Sequence, residues 1–520
     1  MSKFYEKVAY HDVDEDLQSQ KSVDKWIFGL LLIVIGFVPL VVMASVIEVQ
    51  SPLITNVSAL TGGVKGDLFT HYKALAVLVV TVLAALMFLS KILFMNGEIR
   101  KTKLNYAIGA FAAAIVLSTI FSPNITTALD GLYNHSDGAI SWLCYLALFF
   151  IGMNIDYPKK ALNYILYSLY PFVIINLLII TMNFYGDDLL QKAAVKKIVT
   201  LFLPEGANIG EGSILVGTLN QWNYMSGMFA IMVVMFLTAA ILEKNIVRAI
   251  GHLVIAVISV AVMLMSISTS GFLTVCAMML VILFVAFKSD KKVQSFAMIA
   301  VFLVASTPVF HMLASKDARV WNESIGFVVK SNPYVKEDPA PVTSMKTDLE
   351  FDWMTKAYAA EKFELPVLAE RTYGSGSGRF YIWSKTLNLV KERPLVGYGL
   401  DTLIYQFPHY NIDARAAFWD ESVITDKPHN MYVGWLYGTG FTGLLSVMLI
   451  IALSLVKPLK VALKNNSAIL WVMGVAWGAY LIQAVFNDSL PGTSAPLWAI
   501  AGILLAMTLK NKEQIDGRDN

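Results

Sequence analysis

The sequence predicts an all-α, polytopic membrane protein with about twelve transmembrane helices and one long extracytoplasmic loop. Three observations carry this. The 520 residues are 56% hydrophobic and only 15% charged, with a mean hydropathy of +0.60, whereas soluble domains sit near ~45–50% apolar and ~25% charged. Apolar runs long enough to cross a bilayer, about 17–25 residues each, recur along most of the chain. The loops between them alternate in basic content, as the positive-inside bias of membrane proteins requires.

In chain order, a polar, acidic segment 1–26 reads as a cytoplasmic tail rather than a cleavable signal peptide. Nine spans follow within 27–313, at about 27–47, 72–95, 104–121, 138–153, 161–182, 222–242, 247–268, 270–288 and 294–313. The fourth is short, and the break between seventh and eighth rests on Ser268-Thr269-Ser270-Gly271. A polar loop fills 314–430. Three more spans lie within 431–509, at about 431–456, 467–487 and 491–509, before a cytoplasmic tail at 510–520. Between spans five and six, Asp188 to Leu203 mixes apolar residues with Lys192, Lys196 and Lys197. It reads equally as a helix on the membrane surface or as a solvated loop helix.

Orientation follows from the basic residues. Lys21 and Lys25, Arg100 to Lys103, Lys159 and Lys160, Lys244 and Arg248, Lys288 to Lys292, Lys457 to Lys464, and Lys510 to Arg518 fall on alternate loops. Both termini are therefore expected in the cytoplasm of a multi-pass cell-membrane protein, and the 314–430 loop outside. A formal charge of +2 gives no global basic field for nucleic acid. The two cysteines, Cys144 and Cys276, sit in apolar runs and read as small buried hydrophobes.

The long loop is where chemistry is expected. Gly374, Gly376 and Gly378 lead into Arg379, and Phe380, Trp383, Leu387 and Val390 follow at helical spacing until Pro394. Arg379 then stands at a helix N-terminus, a natural place for phosphate, where its planar guanidinium grips two anionic oxygens at once. Lys385 and Arg393 are supporting candidates. His429, just before span ten, suits a general base for an acceptor hydroxyl, and Asn430 either orients substrate or caps the helix. His409, in the same loop, is its rival. Asp401, Asp413, Asp420, Glu421 and Asp426 show no metal-ligand spacing and read as solvated surface, so neither a metal nor a cofactor is expected. Asn220, Gln221 and Asn223 enter span six together, lining a groove or capping the span. Gly434, Gly438, Gly440 and Gly443 read as close helix packing.

Taken together, Gly378-Arg379-x-x-x-Trp383, Pro394-x-x-Gly397-x-Gly399, His429-Asn430 and Gly440-x-x-Gly443 resemble the signature of the O-antigen ligase and polymerase family, with bacterial O-oligosaccharyltransferases among its relatives. The resemblance implies a GT-C-like, metal-independent glycosyl or oligosaccharyl transferase. It would move glycan from an undecaprenyl-diphosphate carrier to a glycan, lipid, wall or protein acceptor at the outer face. By position, Arg379 would engage the diphosphate and His429 the acceptor. Gly378, Trp383, Lys385, Arg393, Asn430, His135, Asn220 and Asn223 would contact substrate. His135 lies in Gly131 to Gly138, which resembles an outer-loop pattern of the relatives with a basic residue there. The sequence departs at Gly271, where many relatives carry arginine after serine. Lys73, Arg371 or His135 then replaces that cation, or diphosphate binding is weaker. A transporter or lipid-linked glycan flippase is the alternative, against which stands the lack of visible charge pairs within the spans.

Overall fold

The computed structural model describes residues 13–49, 63–205, 216–219, 221–335, 378–409, 414, 417–418 and 423–516. Asn220, Arg371, Gly374, Gly376, Asp413, Asp420 and Glu421 lie outside them. The described chain is an all-α bundle. Ten of its helices are long and apolar enough to cross a membrane, and two further apolar helices are shorter.

Helix α1 (Val13–Leu32) runs on through a π turn (Ile33–Phe37) and a 3-10 turn (Val38–Leu40). The first span thus begins earlier and ends earlier than the 27–47 expected. It passes through Pro39 and ends at Leu40. The β-branched run that follows forms β1 (Ser45–Val49), paired antiparallel with β2 (Gly63–Asp67), a small hairpin that the hydropathy pattern does not show. The Asp67 carboxylate then accepts from the amides of Phe69, Thr70 and His71 and opens α2 (His71–Phe94).

Seven more helices lead to the loop region: α3 (Lys103–Ile120), α4 (Ala139–Met153), α5 (Ala161–Phe184), α6 (Trp222–Leu242), α7 (Ile246–Met265), α8 (Thr269–Lys288) and α9 (Lys292–Lys316). Segment 188–203 is a 3-10 turn, Leu189–Gln191, and a short helix, Ala193–Val199, tied to the hairpin by Ala44 N–H donating to the Val199 carbonyl. Helix α10 (Arg379–Glu392) lies between α9 and α11 (Met431–Asn465), which is followed by α12 (Ala468–Gln483) and α13 (Pro491–Asp516).

Helices α6 and α13 are the centre of the bundle, each 94% buried over its apolar window. Helix α6 packs on α7, α8, α9 and α12, and α13 on α4, α11 and α12. A ladder of edge-to-face rings, Trp435, Trp142, Trp498 and Trp477, joins α11, α4, α13 and α12 at centroid spacings of 5.4, 5.7 and 5.5 Å. Such pairs add roughly 0.5–1.5 kcal/mol each beyond burial. Two buried groups correct the reading that no charges pair within the spans. Asp24, assigned from sequence to the tail, lies on α1 and accepts from Lys91 of α2 at 2.6 Å.

The glycines of α11 are more than packing residues. At Gly440 the backbone leaves the helix, with φ 66° and ψ −170°, a region open to glycine at little steric cost. The break frees backbone groups, and the loop after α10 uses them. Tyr398 N–H donates to the Tyr437 carbonyl at 3.0 Å, Gly399 N–H to the Gly438 carbonyl at 2.9 Å, and Phe441 N–H to the Pro394 carbonyl at 2.7 Å. The Pro394-x-x-Gly397-x-Gly399 and Gly440 motifs are therefore one backbone junction that docks α10 on α11.

Candidate functional site

Four segments converge at one end of the bundle: 131–138 before α4, 398–402 after α10, 423–430 before α11, and 487–490 between α12 and α13. Each brings charged residues, and their side chains interlock.

His429 has φ 51°, which turns the chain sharply into α11. Its Nδ1 is 3.0 Å from Asp488 Oδ2, while Asp488 Oδ1 accepts from the Asn430 amide at 3.2 Å. A carboxylate only accepts, so Nδ1 carries the hydrogen, and in the neutral ring the lone pair is on Nε2. The His429 side chain is 32% exposed against 5% for Asp488, and no described residue bonds Nε2. The pair is therefore an oriented base with its free nitrogen open. Asn430 is the helix cap, its side chain accepting from the Tyr432 and Val433 amides at 3.0 and 3.1 Å.

Arg379 is the first residue of α10, and Gly378 before it has φ 82°. A Cβ at Gly378 would sit 2.5 Å from the Phe418 ring as well as straining the backbone. Burial lowers the basicity of the Arg379 guanidinium, and Asp488 and Tyr224 oppose this electrostatically. Arg379 is thus within electrostatic reach of the carboxylate that holds His429, and it remains cationic as arginines do. Among the described residues no carboxylate is in ion-pair contact with it. Trp383 donates its indole N–H to the Pro428 carbonyl at 2.8 Å, fixing α10 to the residue before His429. The buried face of α10 is Ile382, Thr386 and Val390, while Phe380 is 60% and Leu387 42% exposed. This corrects the expected stripe at Phe380 and Leu387, while Val390 is buried as expected.

Behind this pair lies a second network, buried except at Asp426, whose side chain is 30% exposed. His135 is clamped by both nitrogens, Nδ1 at 3.0 Å from Asp401 and Nε2 at 3.2 Å from Asp426. Lys427 Nζ reaches Asp137 at 3.1 Å, Asp401 at 3.6 Å and the Ser489 carbonyl at 3.0 Å. Ser489 Oγ donates to Asp137, and Leu132 N–H to Asp401 at 2.6 Å. Burial works against the His135 charge, but Asp401 and Asp426 outweigh it and hold the imidazole at about 9. Burial also opposes the Lys427 charge, yet Asp137 and Asp401 raise it. Asp137 is pushed up to about 6 by burial and Asp401, against Lys427. Asp401 and Asp426 are held below the usual carboxylate range, burial notwithstanding, chiefly by Lys427 and His135 respectively. These two are not solvated surface, as their charge and loop position suggest. A cavity of ≈ 40 Å³ between the networks is lined by Asp137, Asp426, Lys427, Trp142, Trp435 and Asp488. It is room for a few waters, not a sugar.

The remaining candidates take other places. His409 donates its Nε2–H to the Ile404 carbonyl, 2.8 Å away, and burial lowers its basicity. Arg393 donates to the Phe121 carbonyl at 2.8 Å and lies 5.0 Å over the Tyr398 ring. Lys385 sits 5.3 Å over the Tyr381 ring. Asn223 donates to Asn487 Oδ1 at 3.0 Å, and Asn487 to Gln483, which in turn reaches Ser270 and Thr274. That chain stitches α6, α8 and α12 together next to Asp488. Lys73 is buried and donates to the carbonyls of Phe69 and Thr218 at 2.8 and 2.7 Å. At Gly271 a Cβ would lie 2.2 Å from Ser226 Oγ, so this helix crossing leaves no space for an arginine. Among the described residues no group of His, Cys, Asp and Glu is arranged to hold a metal.

Beside the 131–136 segment a larger cavity of ≈ 910 Å³ opens. Ala74, Leu75, Leu78 and Ile140 form its apolar wall, and Asn124, Thr127, Asp130, Tyr133 and Tyr405 its polar rim.

The sequence pattern singles out His429, Arg379 and Asn430 as candidates. It missed Lys427 and Asp137. The one available signal was the run Asp426-Lys427-Pro428-His429, an acid and a base immediately before an apolar span. No curated protein matches the chain. Residues 254–448, which include Arg379 and His429 but not His135 or Asp488, match the family model described as O-Antigen ligase.

Proposed function

We propose that this protein transfers glycan from an undecaprenyl-diphosphate carrier to an acceptor hydroxyl at the outer face of the cytoplasmic membrane. The observation that carries the reading is the oriented His429–Asp488 pair, with Arg379 at the start of the helix that Trp383 ties to Pro428 beside it. His429 Nε2 takes the proton of the acceptor hydroxyl while the acceptor oxygen attacks the anomeric carbon. The bond from that carbon to the diphosphate breaks, its electron pair leaves with the phosphate, and Arg379 stabilises the developing charge. Direct displacement of this kind inverts the sugar carbon. Asp488 keeps the imidazole turned and supports the imidazolium that forms. The energy comes from the donor, so no nucleotide is needed.

The ≈ 910 Å³ cavity supports a lipid-linked substrate. It is near the upper end of ligand pockets, about 300–1,000 Å³, and pairs an apolar wall with a hydroxyl- and amide-rich rim. The basic residues of alternate loops support cytoplasmic termini. Single cysteines at Ser344 and Ser467 test this: an impermeant thiol reagent on intact cells should label the first and spare the second, and the reverse would move the chemistry to the other face. Reconstituted protein given purified undecaprenyl-diphosphate-linked glycan should release undecaprenyl diphosphate. Movement of the intact lipid-linked glycan across the bilayer, with no release, would instead establish the flippase alternative.

A further inference from the structure

We infer that Lys427 and Asp137 are positioning residues: their buried ion pair sets the register between the strand of chain that carries His429 and the one that carries Asp488. The inference rests on the proposed role of His429, but its geometry stands apart from that role. His429 and Asp488 come from segments 58 residues or more apart in sequence, and neither segment is helical where they meet. Beyond the Asn430 and Met431 amides, which donate to Asp488 and to the Ala484 carbonyl, no shared secondary structure fixes them to each other.

The buried network supplies that fixation one or two residues away on each side. Lys427 precedes His429 by two positions and bonds directly to the other segment, at the Ser489 carbonyl, one position after Asp488. Asp137 closes the triangle, taking Lys427 Nζ and Ser489 Oγ on the same oxygen, Oδ2. The 131–138 segment is itself pinned, because Asp401 holds both the Leu132 amide and His135. His135 in turn grips Asp426 on the catalytic segment. Each strand of the proposed site is thus bonded to the same buried ions, while His429 itself is left half-open to substrate. Burying such ions is costly, and an apolar replacement is often as stable. A network retained beside the dyad is therefore better placed to hold register than to add stability.

That same energetic asymmetry gives the test. Removing one ion strands its partner and destabilises the fold, whereas removing both strands neither, and Asp401 keeps His135 as its counter-ion. The double variant Lys427→Met with Asp137→Leu should therefore fold, which thermal unfolding in detergent checks. Two readouts follow. Hydrogen exchange at the Asn430 amide, which donates to Asp488, should speed up at least about tenfold. Release of undecaprenyl diphosphate from purified undecaprenyl-diphosphate-linked glycan should fall in kcat by about a hundredfold, the scale of a 1 Å misplacement, with KM within about twofold. A folded double variant with unchanged exchange and unchanged kcat overturns the inference. If the double variant does not fold, Ser489→Ala decides. It removes one bond to Asp137 and should raise Asn430 exchange and lower kcat severalfold without shifting KM, and an unaltered Ser489→Ala protein overturns the inference as well. Should His429→Ala keep full turnover, the general-base reading fails, yet the exchange measurement still judges the register on its own.

Discussion

Two histidines at the same end of this bundle are each paired with aspartate through Nδ1 at 3.0 Å, and they are set up for opposite tasks. His135 has a second carboxylate on Nε2 and is 5% exposed. Both nitrogens are occupied, and the ring is held charged with a pKa of about 9. It has no lone pair to offer and works as a cation in a lattice. His429 has one carboxylate, a third of its side chain exposed, and Nε2 without a partner among the described residues. The difference teaches that a histidine–aspartate pair marks a base only when the distal nitrogen is left open. The number of carboxylates around the ring decides the role more than the pair itself.

The largest effect that can break this comparison is at His429. His429→Ala should lower undecaprenyl diphosphate release by about a hundredfold to ten-thousandfold, the range of a positioned general base, with donor binding retained. Next, Arg379→Ala should cost about 10²–10³ in kcat, as loss of one charge-stabilising donor does, and Arg379→Lys should recover little because it lacks the planar fork. Asp488→Asn should also lower turnover, by up to about 10⁴, the cost of the wrong tautomer in a serine-protease triad. Its amide can offer a donor to Nδ1 and so favours the wrong tautomer, with Nε2 protonated.

His135 should behave differently under the same assay. His135→Gln should act mainly on stability, leaving Asp401 and Asp426 without their shared cation. The sign of its pH dependence follows from the raised value. A histidine held at about 9, against an ordinary value near 6.5, stabilises the fold fully below about pH 6.5 and loses that contribution as pH rises through 9. The wild-type melting temperature should therefore fall between pH 8 and 10, and the His135→Gln protein should show a smaller drop. A steep fall in both would place the titration elsewhere. The smallest effect is at Trp383. Trp383→Phe removes one hydrogen bond to Pro428, worth about 1 kcal/mol, and should lower turnover only severalfold.

Much of this architecture was legible in the sequence, because a bilayer demands long apolar runs and the chain has them. The boundaries failed where a local rule outweighed hydropathy. The helical run through Pro39 ended at Leu40, before the apolar run ended, and Ser45–Val49, with β-branched Val46, Ile47 and Val49, paired as a strand. Gly440 was read as helix packing, since nothing one-dimensional distinguishes a glycine that packs from one that breaks the helix. Arg379 and His429 were visible because each stands beside a punctuating residue, Gly378 or the start of a span. Asp401, Asp426, Lys427 and Asp137 were not, because their meaning lies in pairing between segments far apart in the chain. A charge reads as solvated until its partner is found. Asp488 sits 59 residues from His429, so the dyad could only appear once the fold joined them.

The central claim is that His429 is the open base and His135 the closed cation. The most direct measurement compares His429→Ala, His135→Gln and the unaltered protein in the same proteoliposomes, following release of undecaprenyl diphosphate from purified lipid-linked glycan, each normalised to folded protein. The account expects His429→Ala to be at least about a hundredfold down and folded His135→Gln to retain a much larger share of turnover. Near-normal release by His429→Ala, with folded His135→Gln inactive, would contradict it.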